Sequence, residues 1–187
     1  MKIRLGIAVV TLLATSPVWA TTVIRLTLPE MVQESELIVV GTVVGAESVW
    51  IGRELYTRYT VEVEETMHGE GHGTVPVLVA GGVDRSRRIP IGMAVAGAPT
   101  FLSRERAVLL LDQIEPGSST SDFRIVGFNQ GRFTVNGERT QSPEAAPAQR
   151  SRAAEPLDTL RARLRALIRE RGAARDQGQS PRPERRR

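Results

Sequence analysis

The sequence predicts a mainly β fold: a small antiparallel barrel with a short N-terminal helix and a separate C-terminal amphipathic helix. Three observations carry that reading. Valine- and isoleucine-rich runs of strand length recur from Leu37 to Val135, separated by Gly-, Pro- and Asn-containing turns. Gly41 and Gly45 interrupt the first run, as a sheet that bends on itself requires. Far from these runs, Leu157, Leu160, Leu164, Leu167 and Ile168 recur at helical spacing and form one narrow apolar stripe.

The first twenty residues stand apart from this domain. Lys2 and Arg4 give a positive start, Leu5 to Ala14 form a mostly apolar run, and Val18-Trp19-Ala20 supplies a cleavage site. The run is shorter than the roughly 20 residues a membrane-spanning helix needs. Residues 1–20 are therefore expected to be a signal peptide, with the mature chain starting at Thr21 in the periplasm or the medium. No other stretch is apolar and long enough to cross a membrane. The chain has no cysteine, which excludes a disulfide framework, a thiolate metal site and a lipid-modified N-terminus.

Within the domain, residues 21–137, the elements follow in order. Thr27 with Glu30 three residues on is a capping-box pair, and Pro29 suits a first helical turn. Leu37 to Trp50 reads as a well-buried strand, Ile51 to Glu54 as a turn, and Leu55 to Met67 as a strand with alternating faces. Leu55, Tyr59, Val61 and Val63 share the inner face of that strand, and Arg58, Thr60, Glu62 and Glu64 the wet one. His68 to Gly73 is a glycine-rich turn. Thr74 to Ala80 is a strand that Pro76 shifts toward an edge. Gly81 to Thr100 is expected as a long loop, Ala107 to Leu111 and Phe123 to Phe128 as strands, and Gly131 to Val135 as a strand ending in the hairpin signal Asn136-Gly137. Residues 138–155 read as a Pro/Ala-rich linker, 156–172 as a helix opened by Pro156 and stopped by Gly172, and 173–187 as a disordered basic tail.

This order of features resembles a known set. The segments Leu37-Ile38-Val39-Val40-Gly41-Thr42-Val43, Val61-Glu62-Val63-Glu64-Glu65, Gly81-Gly82, Ala96-Gly97-Ala98-Pro99-Thr100-Phe101 and Val126-Gly127-Phe128-Asn129-Gln130-Gly131-Arg132-Phe133 carry the likeness. They are similar to uncharacterised bacterial exported β-barrel proteins and, more distantly, to the OB-like barrels of the netrin and TIMP type, over roughly residues 23–136. The resemblance implies an OB-like architecture. Inhibitors of that type chelate a target's zinc through an N-terminal cysteine. With Thr21 expected first and no cysteine present, that role does not carry over, and fold likeness alone is a weak warrant for function.

Catalytic chemistry finds little to work with. The two histidines, His68 and His72, lie in one glycine-rich turn, and no Gly-x-Ser-x-Gly surrounds a serine. His68 and His72 with Glu70 between them are the one arrangement with metal-ligand spacing, and a flexible turn is the competing reading. No cofactor motif is present. The arginines Arg85, Arg87 and Arg88 in the long loop suit an acidic ligand or simply loop solubility. Trp50, Tyr56 and Tyr59 suit an aromatic face or cross-strand packing.

Charge is split along the chain. Residues 21–149 hold 11 arginines against 16 acids, and residues 150–187 hold 12 against 5. An acidic body thus carries a basic tail, and export rules out nucleic acid as its expected partner. The expected function is a non-catalytic β-barrel module for binding a protein partner or an anionic envelope surface. Arg85, Arg87, Arg88 and the stripe Leu157, Leu160, Leu164, Leu167 and Ile168 are its candidate contacts. An inhibitor or accessory factor of a secreted protease is the alternative, and a metal-dependent enzyme using His68 and His72 the second.

Overall fold

The computed structural model describes residues 25–114, 122–142 and 154–178, with the side chains of 175–178 left aside. The expected signal peptide, and most of the expected linker and tail, lie outside these residues. The described chain is mainly β with two helices: α1 (Leu28–Glu34), β1 (Leu37–Ile51), β2 (Glu54–His68), β3 (Thr74–Ala80), β4 (Gly82–Asp84), β5 (Ile91–Met93), β6 (Arg106–Gln113), β7 (Phe123–Ile125), β8 (Arg132–Asn136), β9 (Arg139–Gln141), β10 (Glu155–Pro156) and α2 (Leu157–Gly178).

Helix α1 starts where its sequence specifies. The Thr27 amide and hydroxyl both donate to the Glu30 carboxylate at 2.7 Å, which fixes the first turn. The fold then runs through a long hairpin, β1–β2, closed by Gly52 and Arg53. Its register shifts between Val40 and Gly41 and again between Val43 and Gly45, where the glycines had suggested a bend. At Gly41 the reason is steric, because a Cβ there would lie 2.6 Å from the Glu62 carbonyl oxygen. Strand β3 pairs antiparallel with β2 along its length and meets β7 in parallel at Val77↔Phe123 alone. Strand β6 pairs with β1 on one edge, and β7 and β8 share its other edge.

The apolar run of β1 is buried on both faces because two cores flank it. Leu37, Val39 and Val43 join Val61, Val77, Leu109 and Ile125 on one side. Ile38 and Val40 join Val108, Leu110, Phe133 and Val135 on the other, where Met31 and Val32 of α1 also pack. Leu157, Leu160 and Leu164 of α2 complete this second core.

Several expectations are corrected. The Gly81–Thr100 segment is not a structureless loop, since β4 and β5 form a separate two-stranded sheet within it. The strand expected over Phe123–Phe128 stops at Ile125. Residues 126–131 then form a turn with Gly127 at φ +62° and Phe128 at φ +68°. Part of the expected linker is ordered as β9 and β10, which pair with each other at Thr140 and Glu155. Pro156 belongs to β10, and Gly172 lies inside α2 instead of ending it. A glycine stops a helix when the chain turns to positive φ, and Gly172 does not.

Candidate functional site

The best-built polar site joins the tip of the β1–β2 hairpin to the segment after β3. Trp50, near the end of β1, faces Asp84 at the end of β4, and its indole N–H donates to Asp84 Oδ2 at 2.8 Å. The Ser86 hydroxyl and amide donate to Asp84 Oδ1 at 2.6 and 2.9 Å, and Arg87 Nε reaches Oδ2 at 3.2 Å. Arg87 also lies over the Trp50 ring, 5.2 Å from its centroid, a cation–π contact. Asp84 is 6 % exposed. The Ser86 hydroxyl foremost, then the Trp50 indole and the Ser86 amide, hold its carboxyl well below the usual range.

The backbone makes room for this contact. A Cβ on Gly82 would fall 2.3 Å from Thr57 Oγ1, so only glycine lets β4 lie this close to β2. The Thr57 hydroxyl donates to the Gly81 carbonyl at 2.9 Å and the Ser48 hydroxyl to the Val83 carbonyl at 2.7 Å. The segment is tied to the hairpin at Ser48, Trp50 and Thr57.

The three loop arginines take different places. Arg87 is committed to Asp84 and Trp50, whereas Arg85 and Arg88 are exposed and form no ion pair among the described residues. Large exposed apolar side chains gather nearby. Of the nine among the described residues, six (Trp50, Ile51, Val83, Ile89, Ile91 and Val95) belong to the hairpin tip or to the 83–95 segment. The aromatic residues near the hairpin do not form a single face. Tyr59 packs edge-on against Phe101 with centroids 4.9 Å apart, the Tyr56 hydroxyl donates to Glu54, and Trp50 turns to Asp84.

The candidate contacts on α2 point inward. Leu157, Leu160 and Leu164 are buried in the second core, and Leu167 and Ile168 pack against it. As partner contacts these five are corrected, because the stripe is covered by the chain's own sheet. Ion pairs reinforce the docking: Arg161 and Arg165 reach Glu65 of β2 at 2.9 and 2.7 Å. Arg171 is buried and donates to the carbonyls of Val32 and Ser35 at 2.7 and 2.6 Å, capping the end of α1. Part of the basic segment is thus paired with the acidic body.

His68 and His72 do not converge on a shared ligand position. His68 ends β2, its Nε2 3.4 Å from the Arg171 guanidinium, and His72 is exposed in the turn that follows. A guanidinium at that distance opposes a second cation on the same nitrogen. Among the described residues no three His, Cys, Asp or Glu groups are placed to hold a metal ion.

Two further features were not legible in the sequence. Glu105 and Arg132 form a largely buried pair at 3.0 Å, with Arg132 stacked 4.8 Å from the Phe101 centroid and donating to the Thr100 carbonyl. A cleft of about 530 Å³ opens where β3 and β7 splay, with Tyr56, Leu78, Ile114, Arg124 and Phe128 on its walls. For the Trp50–Asp84 site, half of the signal was local. Asp84 and Ser86 have the spacing of a turn in which a carboxylate bonds two residues ahead. Nothing local points to Trp50, 34 residues earlier. No family model, curated protein or solved structure matches this chain.

Proposed function

We propose that the protein is an exported, non-catalytic binding module on an OB-like barrel, with its contact surface at the hairpin tip and the 83–95 segment. Export rests on Lys2, Arg4, the apolar run Leu5–Ala14 and the site at Val18–Ala20. The barrel reading is supported by the strand pairings. They pass from β1 to β2, β3, β7 and β6 and return to β1, with β3 and β7 parallel, which is the order of a five-stranded OB barrel.

A non-catalytic role is favoured by how the carboxylates are used. Glu64 is held by Arg106, Asp122 by Arg58, Glu105 by Arg132 and Glu65 by Arg161 and Arg165. An acid–base catalyst needs a carboxyl released from such partners and poised near the working pH.

The observation that carries the binding role is the gathering of exposed apolar side chains at one end, since such patches mark interaction surfaces. The test is co-sedimentation of the natural protein with the cell envelope. Substituting Ile51→Ser, Val83→Thr and Ile89→Ser together is expected to abolish association while leaving the circular dichroism spectrum unchanged. Association equal to that of the unaltered chain would overturn the proposal.

A further inference from the structure

We infer that the surface formed by the hairpin tip and the 85–91 loop docks on an anionic lipid bilayer; this rests on the binding role proposed above and names its partner. The loop is held before any partner arrives. Asp84 ties Ser86, Arg87 and Trp50 into one unit, so Arg85, Arg88 and Ile89 are presented on a strut. Ile89 is 76 % exposed and lies between Arg88 and Pro90. It therefore projects outward.

Charge selects the partner's sign. Arg53 at the tip and Arg85, Arg87 and Arg88 in the loop give this end four cations, and its Asp84 is enclosed by Ser86, Trp50 and Arg87, on a body that over residues 21–149 holds 11 arginines against 16 acids. A cationic end on an acidic body orients the molecule toward a negative surface. The apolar side chains decide between kinds of anion. A projecting isoleucine beside arginines gains nothing from a free phosphate or a polyanion. At a bilayer the aliphatic group enters the acyl boundary while the guanidiniums meet headgroups, and the arginine stems add apolar area.

Trp50 makes the inference testable at the site itself. In a chain beginning at Thr21 it is the sole tryptophan, because the other is Trp19. The chain from Thr21, which includes every described residue, is mixed with vesicles of phosphatidylcholine containing phosphatidylglycerol, and with vesicles of phosphatidylcholine alone. In a parallel set the acyl chains are brominated near the headgroup. The expected result is binding to the anionic vesicles only, with Trp50 fluorescence quenched by the brominated lipid. Losing two arginines should weaken partitioning about 30-fold, from about 1 kcal/mol per basic residue.

Arg85→Gln with Arg88→Gln is therefore expected to lose about 30-fold and Ile89→Ser on the order of tenfold. Arg163→Gln with Arg169→Gln, the same charge loss on α2, should lose about twofold at most. Three results would overturn the inference: no vesicle binding, vesicle binding without Trp50 quenching, or equal weakening by the two arginine pairs. If the hairpin-tip variants still lose envelope association while vesicles are not bound, the binding surface stands and its partner is a protein.

Discussion

Asp84 concentrates the chemistry of the hairpin tip in one carboxylate. Its hydrogen bonds from Ser86 and Trp50 depress its pKa in the folded state, so it contributes stability that is fully present above the unfolded carboxylate value, near pH 4. That contribution is lost as pH falls from there toward the depressed folded value. Asp84→Asn is therefore expected to be less stable than the unaltered protein by a constant margin from pH 7 to pH 5. The margin should narrow below about pH 4, as read by urea denaturation at each pH. At the other end of the scale of tolerance is Gly41. A methyl there meets the Glu62 carbonyl at 2.6 Å and Val61 Cγ1 at 2.7 Å, contacts with backbone and a buried side chain that cannot swing away. Gly41→Ala is expected to cost about 1–3 kcal/mol, measurable as a shifted denaturation midpoint with unchanged slope.

Helix α2 shows how an element's role depends on what covers it. Leu160 and Leu164 are fully buried, and burying each contributes about 1.5–3 kcal/mol. Leu160→Ala should remove about 2–5 kcal/mol, including the cavity it leaves. Were the stripe a partner surface instead, the same change would leave the isolated protein's stability untouched. Gly172 gives a test with the opposite sign. It sits in helical conformation with open space where a Cβ would go, so Gly172→Ala is expected to stabilise by roughly 0.5–1 kcal/mol; a glycine that ended the helix at positive φ would give destabilisation. The ion pairs to Glu65 are partly exposed, so Glu65→Gln should cost no more than about 1 kcal/mol.

The whole molecule is a two-sided sheet: one core inside the hairpin and β6, the other closed by α1 and α2. A chain ending at Ala153 would strip Leu157, Leu160 and Leu164 from the core that also holds Ile38, Val40, Val108 and Leu110. It is expected to be insoluble or to unfold at markedly lower temperature, and a thermal midpoint within a few degrees of the full chain would contradict this packing. High salt should leave α2 in place, because its attachment is mainly apolar and salt weakens only the arginine contacts.

What the sequence determined by itself is local. Thr27 with Glu30 specifies the start of α1. Gly41 and Gly45 mark the bends in β1. Alternation places Leu55, Tyr59 and Val61 inward, and Asn136-Gly137 announces the β8–β9 hairpin. Each is settled by a few neighbouring residues through dihedral preference, a side-chain cap or strand period. Only the tertiary structure decided the rest. Periodicity shows that Leu157, Leu160 and Leu164 share a face, but whether a partner or the chain's own sheet covers it depends on contacts with elements distant in sequence, as far back as β1. The same holds for Arg171 at the end of α1 and for Trp50 on Asp84. A long-range contact is fixed by the shape of the assembled sheet and leaves no repeat in the chain, so the hairpin tip becomes a site only once the fold has brought its halves together.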